Sequence, residues 1–262
     1  SANSGGEPIL TMREEAAAEL SDVVDGFLHH DREILRPADD SVIRLIAGKA
    51  RPLRLGRGST PLSWSLSEDL PMPLLATGSD FKNTLCLARD REIYLTPHLG
   101  SLGALRSRRL FFQLIEDFER LFAISPQAVV TDAHPDFRSA HWAERLNLPI
   151  HRVYHHHAHA SAVYGEFQCK APILIFAFDG LGLGPDRTLW GGEVLWGRPG
   201  QWRHLGGMRP FPLLGGERAS LEPWRCGRAL ARACGIDWHP ETISRDAVRT
   251  LEGMGSPITS SV

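Results

Sequence analysis

Apolar residues recur at three- and four-residue spacing between residues 104 and 123, where Leu110, Phe111, Leu114, Phe118 and Leu121 form one stripe. That period predicts a long amphipathic helix. Most other apolar runs are short and read as strands: 42–46, 74–76, 84–88, 93–96, 128–131, 150–154, 173–178, 189–196 and 202–206. Arg89-Asp-Arg-Glu92 is the turn of a hairpin between two of them. Residues 12–28, 138–146 and 217–234 read as helices, the first with Thr11 as N-cap and Glu14 three residues on, a capping-box pattern. After residue 74 strands alternate with helices, which predicts a parallel sheet covered by helices and an α/β fold class. Ligands of such sheets bind at the carboxyl ends of strands. Asp132 and His155 both follow predicted strands directly.

The stretch 59–73 is rich in Pro and Ser and reads as a boundary. The expected organisation is a first domain over 1–58, a linker over 59–73 and a second domain over 74–262. The chain has 262 residues, 42% hydrophobic and 23% charged, ordinary for a globular protein. A net charge of −2 disfavours a nucleic-acid partner. No apolar run approaches the ~20 residues that span a bilayer, and no signal-peptide pattern opens the sequence, so no membrane is expected either. Cys86, Cys169, Cys226 and Cys234 form no C-x-x-C pair, and a reducing cytoplasmic setting is expected. The sequence starts at Ser1 inside a loop-like stretch and stops at Val262 soon after a helical one; it reads as part of a longer polypeptide.

Four histidines crowd into residues 155–159, at a strand-to-helix junction. His155 and His159 are spaced i, i+4, the geometry by which one helix face offers two ligands to zinc or iron. The alternative is a surface or packed histidine cluster. Asp179-Gly-Leu-Gly-Leu-Gly-Pro-Asp186 follows a strand and precedes another. It is similar to the phosphate-binding hairpin of actin-like ATPases, with a carboxylate for a metal and glycines for close backbone approach; a plain hairpin is the competing reading. Trp190-Gly-Gly-Glu193 and Gly215-Gly-Glu-Arg-Ala219 add glycine-rich turns. Lys49, Arg51, Arg54 and Arg57 offer either an anion site or a solvated basic face. The Gly/Ser/Asn loop over 1–10 offers backbone N–H groups to a phosphate, or is an ordinary turn.

These segments together resemble the HypF carbamoyltransferases of NiFe-hydrogenase maturation. Ser1-Ala-Asn-Ser-Gly5, His30-Asp-Arg-Glu-Ile34 and Asp39-Asp-Ser-Val-Ile-Arg44 resemble the end of that family's YrdC-like domain. Gly78-Ser-Asp-Phe-Lys-Asn-Thr84, Asp132-Ala-His-Pro-Asp-Phe137, Val153-Tyr-His-His-His-Ala-His159, the Asp179–Asp186 string, Trp190-Gly-Gly-Glu193 and Glu222-Pro-Trp-Arg225 resemble its transferase motifs. Thr96-Pro-His-Leu-Gly-Ser-Leu102 departs from the family's SQHIGDL, with Ser101 in place of an acid.

The resemblance implies an α/β chain: the end of a YrdC-like domain, then an actin-like (RNase H-like) ATPase-type domain truncated at its C-terminus. It implies a divalent metal, zinc or iron, on His155, His159 and Asp179, with a further Asp ligand beyond Val262. It implies ATP, with Mg2+, and carbamoyl phosphate as substrates, and the C-terminal cysteine of HypE as acceptor of a carbamoyl group carried as carbamoyl-adenylate, on the way to the cyanide ligand. Asn3, Arg57, Gly180, Gly182, Gly191 and Gly192 are the expected nucleotide or phosphate contacts. His134, His156, His157, Asp186 and Glu193 are expected to support the site. A related O-carbamoyl- or tRNA threonylcarbamoyl-type transferase, or an inactive fragment that binds metal and nucleotide, are the alternatives.

Overall fold

A computed structural model describes residue 3 and residues 7–216, 218–256 and 258–261. The phosphate-loop expectation at Ser1, Ala2 and 4–6, and the acid Glu217, lie outside the described residues. The chain divides into two compact units, Ser1–Arg152 and Val153–Val262.

The first unit opens with α1 (Arg13–Leu20) and the hairpin of β1 (Val42–Ile46) and β2 (Lys49–Arg54). The helix expected over 12–28 is shorter: Val23-Val24-Asp25-Gly26 follows it, residues of weak helix propensity. Its N-cap is Met12, without a side-chain hydrogen bond, so the Thr11 capping box does not form. Ala47 and Gly48 turn the hairpin with φ of 49° and 75°, as a tight two-residue turn requires.

A six-stranded sheet follows, from β3 (Leu62–Ser65), β4 (Leu74–Ala76), β5 (Cys86–Arg89), β6 (Glu92–Leu95), β7 (Ala128–Asp132) and β8 (Ile150–Val153), in the order β3-β6-β5-β4-β7-β8. The segment read as a linker therefore carries an edge strand, with Leu62 opposite Leu95. The sheet is mixed rather than parallel. The two-residue turn at Asp90-Arg91 forces β5 and β6 antiparallel, whereas β4 and β7 pair in parallel across a helical crossover. That crossover is α2 (Leu105–Phe122); α3 (Arg138–Ala143) precedes β8. Leu110, Phe111, Leu114 and Phe118 of α2 are buried on Leu75, Leu85 and Leu87, but Leu121 is 57% exposed, off the packed face.

Buried Asp80 fixes the connection between β7 and β8. It takes Arg138 Nη1 at 2.9 Å and the Ser139 amide at 3.1 Å, and so caps the start of α3. Asn83 reaches the Thr77 carbonyl at 2.8 Å and the Ser79 carbonyl at 2.5 Å, closing the loop that Gly78 turns with φ of 65°.

The second unit holds α4 (His155–Glu166), β9 (Ile173–Leu183), β10 (Leu189–Gly197), β11 (Arg203–Gly207), β12 (Phe211–Pro212), α5 (Arg218–Leu221), α6 (Trp224–Ala233), α7 (Arg245–Met254) and β13 (Thr259–Ser260). β10 pairs antiparallel with β9 and β11 and in parallel with β13. The helix expected over 217–234 is broken at Pro223 into α5 and α6, since proline removes a helix donor. Glu222 there takes Arg225 Nε at 2.9 Å, and Arg225 is buried against the Leu214 carbonyl at 3.3 Å. The Glu222-Pro-Trp-Arg225 string thus closes a helix junction over the core of Phe211, Leu213, Leu214 and Ala229.

Candidate metal centre

His155 and His159 lie one turn apart in the first turns of α4, so both imidazoles leave the same face. Their rings are 4.8 Å apart and nearly perpendicular. Asp179 arrives from β9. Its Oδ2 lies 3.0 Å from His155 Nε2 and 3.8 Å from His159 Nε2. One ligand atom from each of the three falls within 4.8 Å of the others.

A β-bulge aims the carboxylate. Gly182 pairs with Trp190 and Phe178 with Gly192, which leaves Asp179, Gly180 and Leu181 opposite Gly191 alone. Such an excess bends one strand and redirects its side chains.

Burial pushes the Asp179 carboxyl up, but the imidazoles of His155 and His159 and the Gly180 N–H outweigh it. The net direction is far below the ordinary carboxylate range. Asp179 Oδ2 is buried and makes no hydrogen bond, despite the two imidazole nitrogens before it. A buried anionic oxygen in that state is expensive unless a cation satisfies it. Two histidines and a carboxylate fit zinc or iron and leave coordination positions open.

His156 turns the other way, into the fold. It is fully buried, and its Nε2 donates to the Gly191 carbonyl at 2.8 Å. Burial lowers its pKa, partly offset by that carbonyl. A Cβ on Gly182 would stand 2.6 Å from His156 Nδ1, so this glycine serves the approach of β9 to α4 rather than a phosphate. The Gly191 amide reaches Ser261 Oγ at 3.0 Å and Glu193 Oε1 at 3.2 Å, and the Gly192 amide donates to the Ser261 carbonyl at 2.7 Å. The expected phosphate donors of Gly191 and Gly192 are therefore already engaged. Gly180 is open above its Cα, and its N–H faces Asp179.

Glu193 is 3% exposed. It takes His204 Nε2 at 2.7 Å and the Ser261 hydroxyl. His204 stacks on Trp190 at 4.5 Å. Neither His204 nor Ser261 belongs to a motif that the sequence marks. His157 packs against Tyr154 and Trp190, and burial lowers its pKa. Asp186 caps its own turn through the Thr188 amide at 3.1 Å and hydroxyl at 2.8 Å, and takes Trp190 Nε1 at 3.1 Å.

In the first unit, His134 stacks on Phe137 at 4.4 Å, and its amide donates to Asp132 at 2.8 Å. Asn3 lines a cavity there and donates to the Glu7 carbonyl at 2.7 Å. Arg57 pairs with Asp40 at 3.1 Å, with three quarters of its side chain exposed, and does not line that cavity; Arg54 does.

Comparison with known proteins gives the family and fold of the chain. The family described as HypF Kae1-like domain matches residues 69–166, and that described as Carbamoyltransferase, Kae1-like Domain, second subdomain, matches 175–262. The YrdC-type family described as Telomere recombination matches residues 1–56. The Carbamoyltransferase HypF of Rhizobium leguminosarum bv. viciae is 39% identical over all of this chain and 35% of its own length. Carbamoyltransferase HypF2 of Cupriavidus necator is 42% identical over 90% of this chain and 30% of its own length. A crystal structure of full-length HypF in the phosphate- and nucleotide-bound form superposes with a TM-score of 0.88 at 29% identity, covering the whole chain and 42% of that structure. T. kodakarensis HypF gives 0.81 at 32% identity, covering 89% of the chain and 31% of that structure. The chain spans about a third of the length of the curated relatives it matches. With a YrdC-type segment and both HypF transferase subdomains matched in chain order, it belongs to the HypF family.

Proposed function

We propose that this chain carries the acyl-transfer centre of a carbamoyltransferase of NiFe-hydrogenase maturation, with a divalent metal, zinc or iron, on His155, His159 and Asp179. The observation that carries the reading is the buried Asp179 Oδ2, unbonded and facing two imidazole nitrogens. When an ion is held there, the chemistry it supplies is Lewis-acid polarisation of a phosphoryl or carbonyl oxygen.

The chain's own residues preset that centre. The turn of α4 holds His155 and His159 in register, and the depressed pKa keeps Asp179 ionised as a ligand. The bond from His156 to Gly191 pins the helix to β10. In the proposed reaction, the thiolate of a C-terminal cysteine of HypE attacks the carbamoyl carbon of carbamoyl-adenylate. The bond from that carbon to the phosphate oxygen breaks, and AMP leaves. Hydrolysis of carbamoyl phosphate releases phosphate and leaves carbamate, whose oxygen attacks the α-phosphorus of ATP, held with Mg2+, and expels pyrophosphate to form the adenylate. The names of the HypF relatives support the transferase class. The proposed setting is cytoplasmic, and the four free cysteines are in keeping with it. Among the described residues no helix is long and apolar enough to cross a membrane.

The test combines metal analysis with transfer. The chain, refolded with zinc or iron and dialysed, is expected to retain about one ion, and His159→Ala and Asp179→Asn to lose it. The full-length protein is expected to carbamoylate a HypE peptide ending in cysteine, with neither tRNA nor an aminoglycoside accepting. Full metal retention by His159→Ala, or transfer to tRNA alone, overturns the reading.

A further inference from the structure

Gly191 stands where the two elements that carry His155, His159 and Asp179 meet. On α4 the buried pair His156 and Ala160 lies one residue on from His155 and His159, so it forms the neighbouring row of the same helix. A rotation of α4 on its packed row therefore swings both imidazoles. The polar anchor of that row is His156, whose Nε2 donates to the Gly191 carbonyl at 2.8 Å. His156 Nδ1 is buried without a hydrogen bond, so this carbonyl is the one polar tie of the side chain. Asp179 depends on the same residue from β9, because the bulge that aims its carboxylate forms opposite Gly191.

What holds Gly191 itself comes from 70 residues further along the chain. Ser261 Oγ accepts the Gly191 amide at 3.0 Å, and the Ser261 carbonyl accepts the Gly192 amide at 2.7 Å. The same hydroxyl donates to Glu193 Oε1, which also accepts the Gly191 amide at 3.2 Å. His204 Nε2 takes the other Glu193 oxygen at 2.7 Å. Ser261 and Glu193 are both almost fully buried. A buried polar network whose members are satisfied is rigid and has one arrangement. Bond by bond it runs from Ser261 through the Gly191 peptide and His156 to the helix of His155 and His159.

We propose, resting on the metal assignment to His155, His159 and Asp179, that Ser261 is a positioning residue of that centre. It acts through the Gly191 peptide, which sets the rotation of α4 by way of His156 and backs the bulge that presents Asp179. A site of this kind tolerates ligand displacements of only about half an ångström. Groups that orient ligands without touching the ion carry about tenfold or more of the affinity.

Cobalt(II) is the probe, added to the full 262-residue chain, because its visible absorption reports coordination geometry and chelator competition reports affinity. Ser261→Ala keeps the strand and its carbonyl and removes only the hydroxyl. It is expected to weaken cobalt binding about tenfold and to shift the visible band. Ser261→Thr restores a hydroxyl and is expected to recover most of the affinity and the parent band. Val248→Ala, a cavity in the buried side of α7, is expected to lower stability to urea while leaving affinity and band unchanged. Circular dichroism checks that each variant is folded. The proposal is overturned if Ser261→Ala binds cobalt as the parent does with the same band. It is equally overturned if Ser261→Thr is no better than Ser261→Ala, or if Val248→Ala loses as much affinity. His159→Ala separates the two levels. Cobalt binding unchanged in His159→Ala removes the metal assignment and this role with it, whereas its loss there beside full binding in Ser261→Ala removes the role alone.

Discussion

His156 Nε2 donates to the carbonyl of Gly191 at 2.8 Å, and this bond joins the helix of His155 and His159 to β10, which pairs with β9, β11 and β13. The contact is possible because β9 passes close, with Gly182 over the imidazole. Gly182→Ala puts a methyl 2.6 Å from His156 Nδ1 and 3.0 Å from His155 Cβ. We expect it to cost about 2 kcal/mol, the range of overpacking in a tight site. Gly180→Ala has open space around its new methyl and is expected to stay within ~1 kcal/mol of the parent. Urea unfolding in the presence of a chelator measures both without a contribution from metal. Equal stability of the two variants would refute the packing role.

Glu193 is the second support of the same peptide. Its carboxylate receives the Gly191 amide, the Ser261 hydroxyl and His204 Nε2 while almost fully buried. Glu193→Ala strands these donors and is expected to cost about 3 kcal/mol. Glu193→Gln keeps one oxygen for the Gly191 amide and is expected to cost less than half as much. The urea midpoints rank the two, and a Gln variant as unstable as the Ala variant removes the case for the hydrogen bonds.

The histidine spacing and the strand before Asp179 make the convergence of His155, His159 and Asp179 legible, because helix period and strand ends are local properties of sequence. The glycines beside it were not. Gly191 and Gly192 look like phosphate cradles, yet Ser261 claims both amides from about 70 residues further along, a pairing with no local mark. Arg54 and Arg57 look alike in one basic run. In the structure Arg54 lines the cavity of the first unit, whereas Arg57 pairs with Asp40 instead. The sheet is mixed rather than parallel because the alternation of strands and helices speaks only for β4 and β7, while the Arg89–Glu92 hairpin turn, itself a local signal, pairs β5 and β6 antiparallel. The stripe of α2 packs as its period predicts up to Phe118; Leu121 turns off the packed face, while Phe122 beside it still stacks on Tyr94.

Arg36 Nε meets Asp117 Oδ2 at 2.6 Å, tying the chain before β1 to α2. The Arg36 bond, helped by Arg120 and opposed by burial, holds the Asp117 carboxyl below its ordinary 3.8. A depressed carboxyl adds stability above its unfolded value and loses it as pH falls through the folded value. Arg36→Ala is therefore expected to be less stable than the parent at pH 7, with the gap closing below about pH 4. Arg36 is 42% exposed and Arg120 remains, so the gap at pH 7 should be about 1 kcal/mol or less. Thermal unfolding of both proteins between pH 3 and 7 checks it. A gap that widens on acidification contradicts the pairing.

Cys86 gives a chemical probe of the first unit. Burial pushes its thiol up to about 11, against the weaker pull of a backbone bond with Tyr94. At pH 8 only about a thousandth of it is thiolate, the form that alkylates. Cys234 is exposed beyond α6. Iodoacetamide at pH 8 is thus expected to label Cys234 in the folded chain and to leave Cys86 intact, as read by peptide mass spectrometry. Labelling of Cys86 should appear in denaturant, when β5 leaves the sheet and the thiol returns to its ordinary acidity. The same urea series used for the glycine variants then reports the opening of this unit alone. Folded-state labelling of Cys86 at the rate of Cys234 would show that β5 is accessible in the native chain.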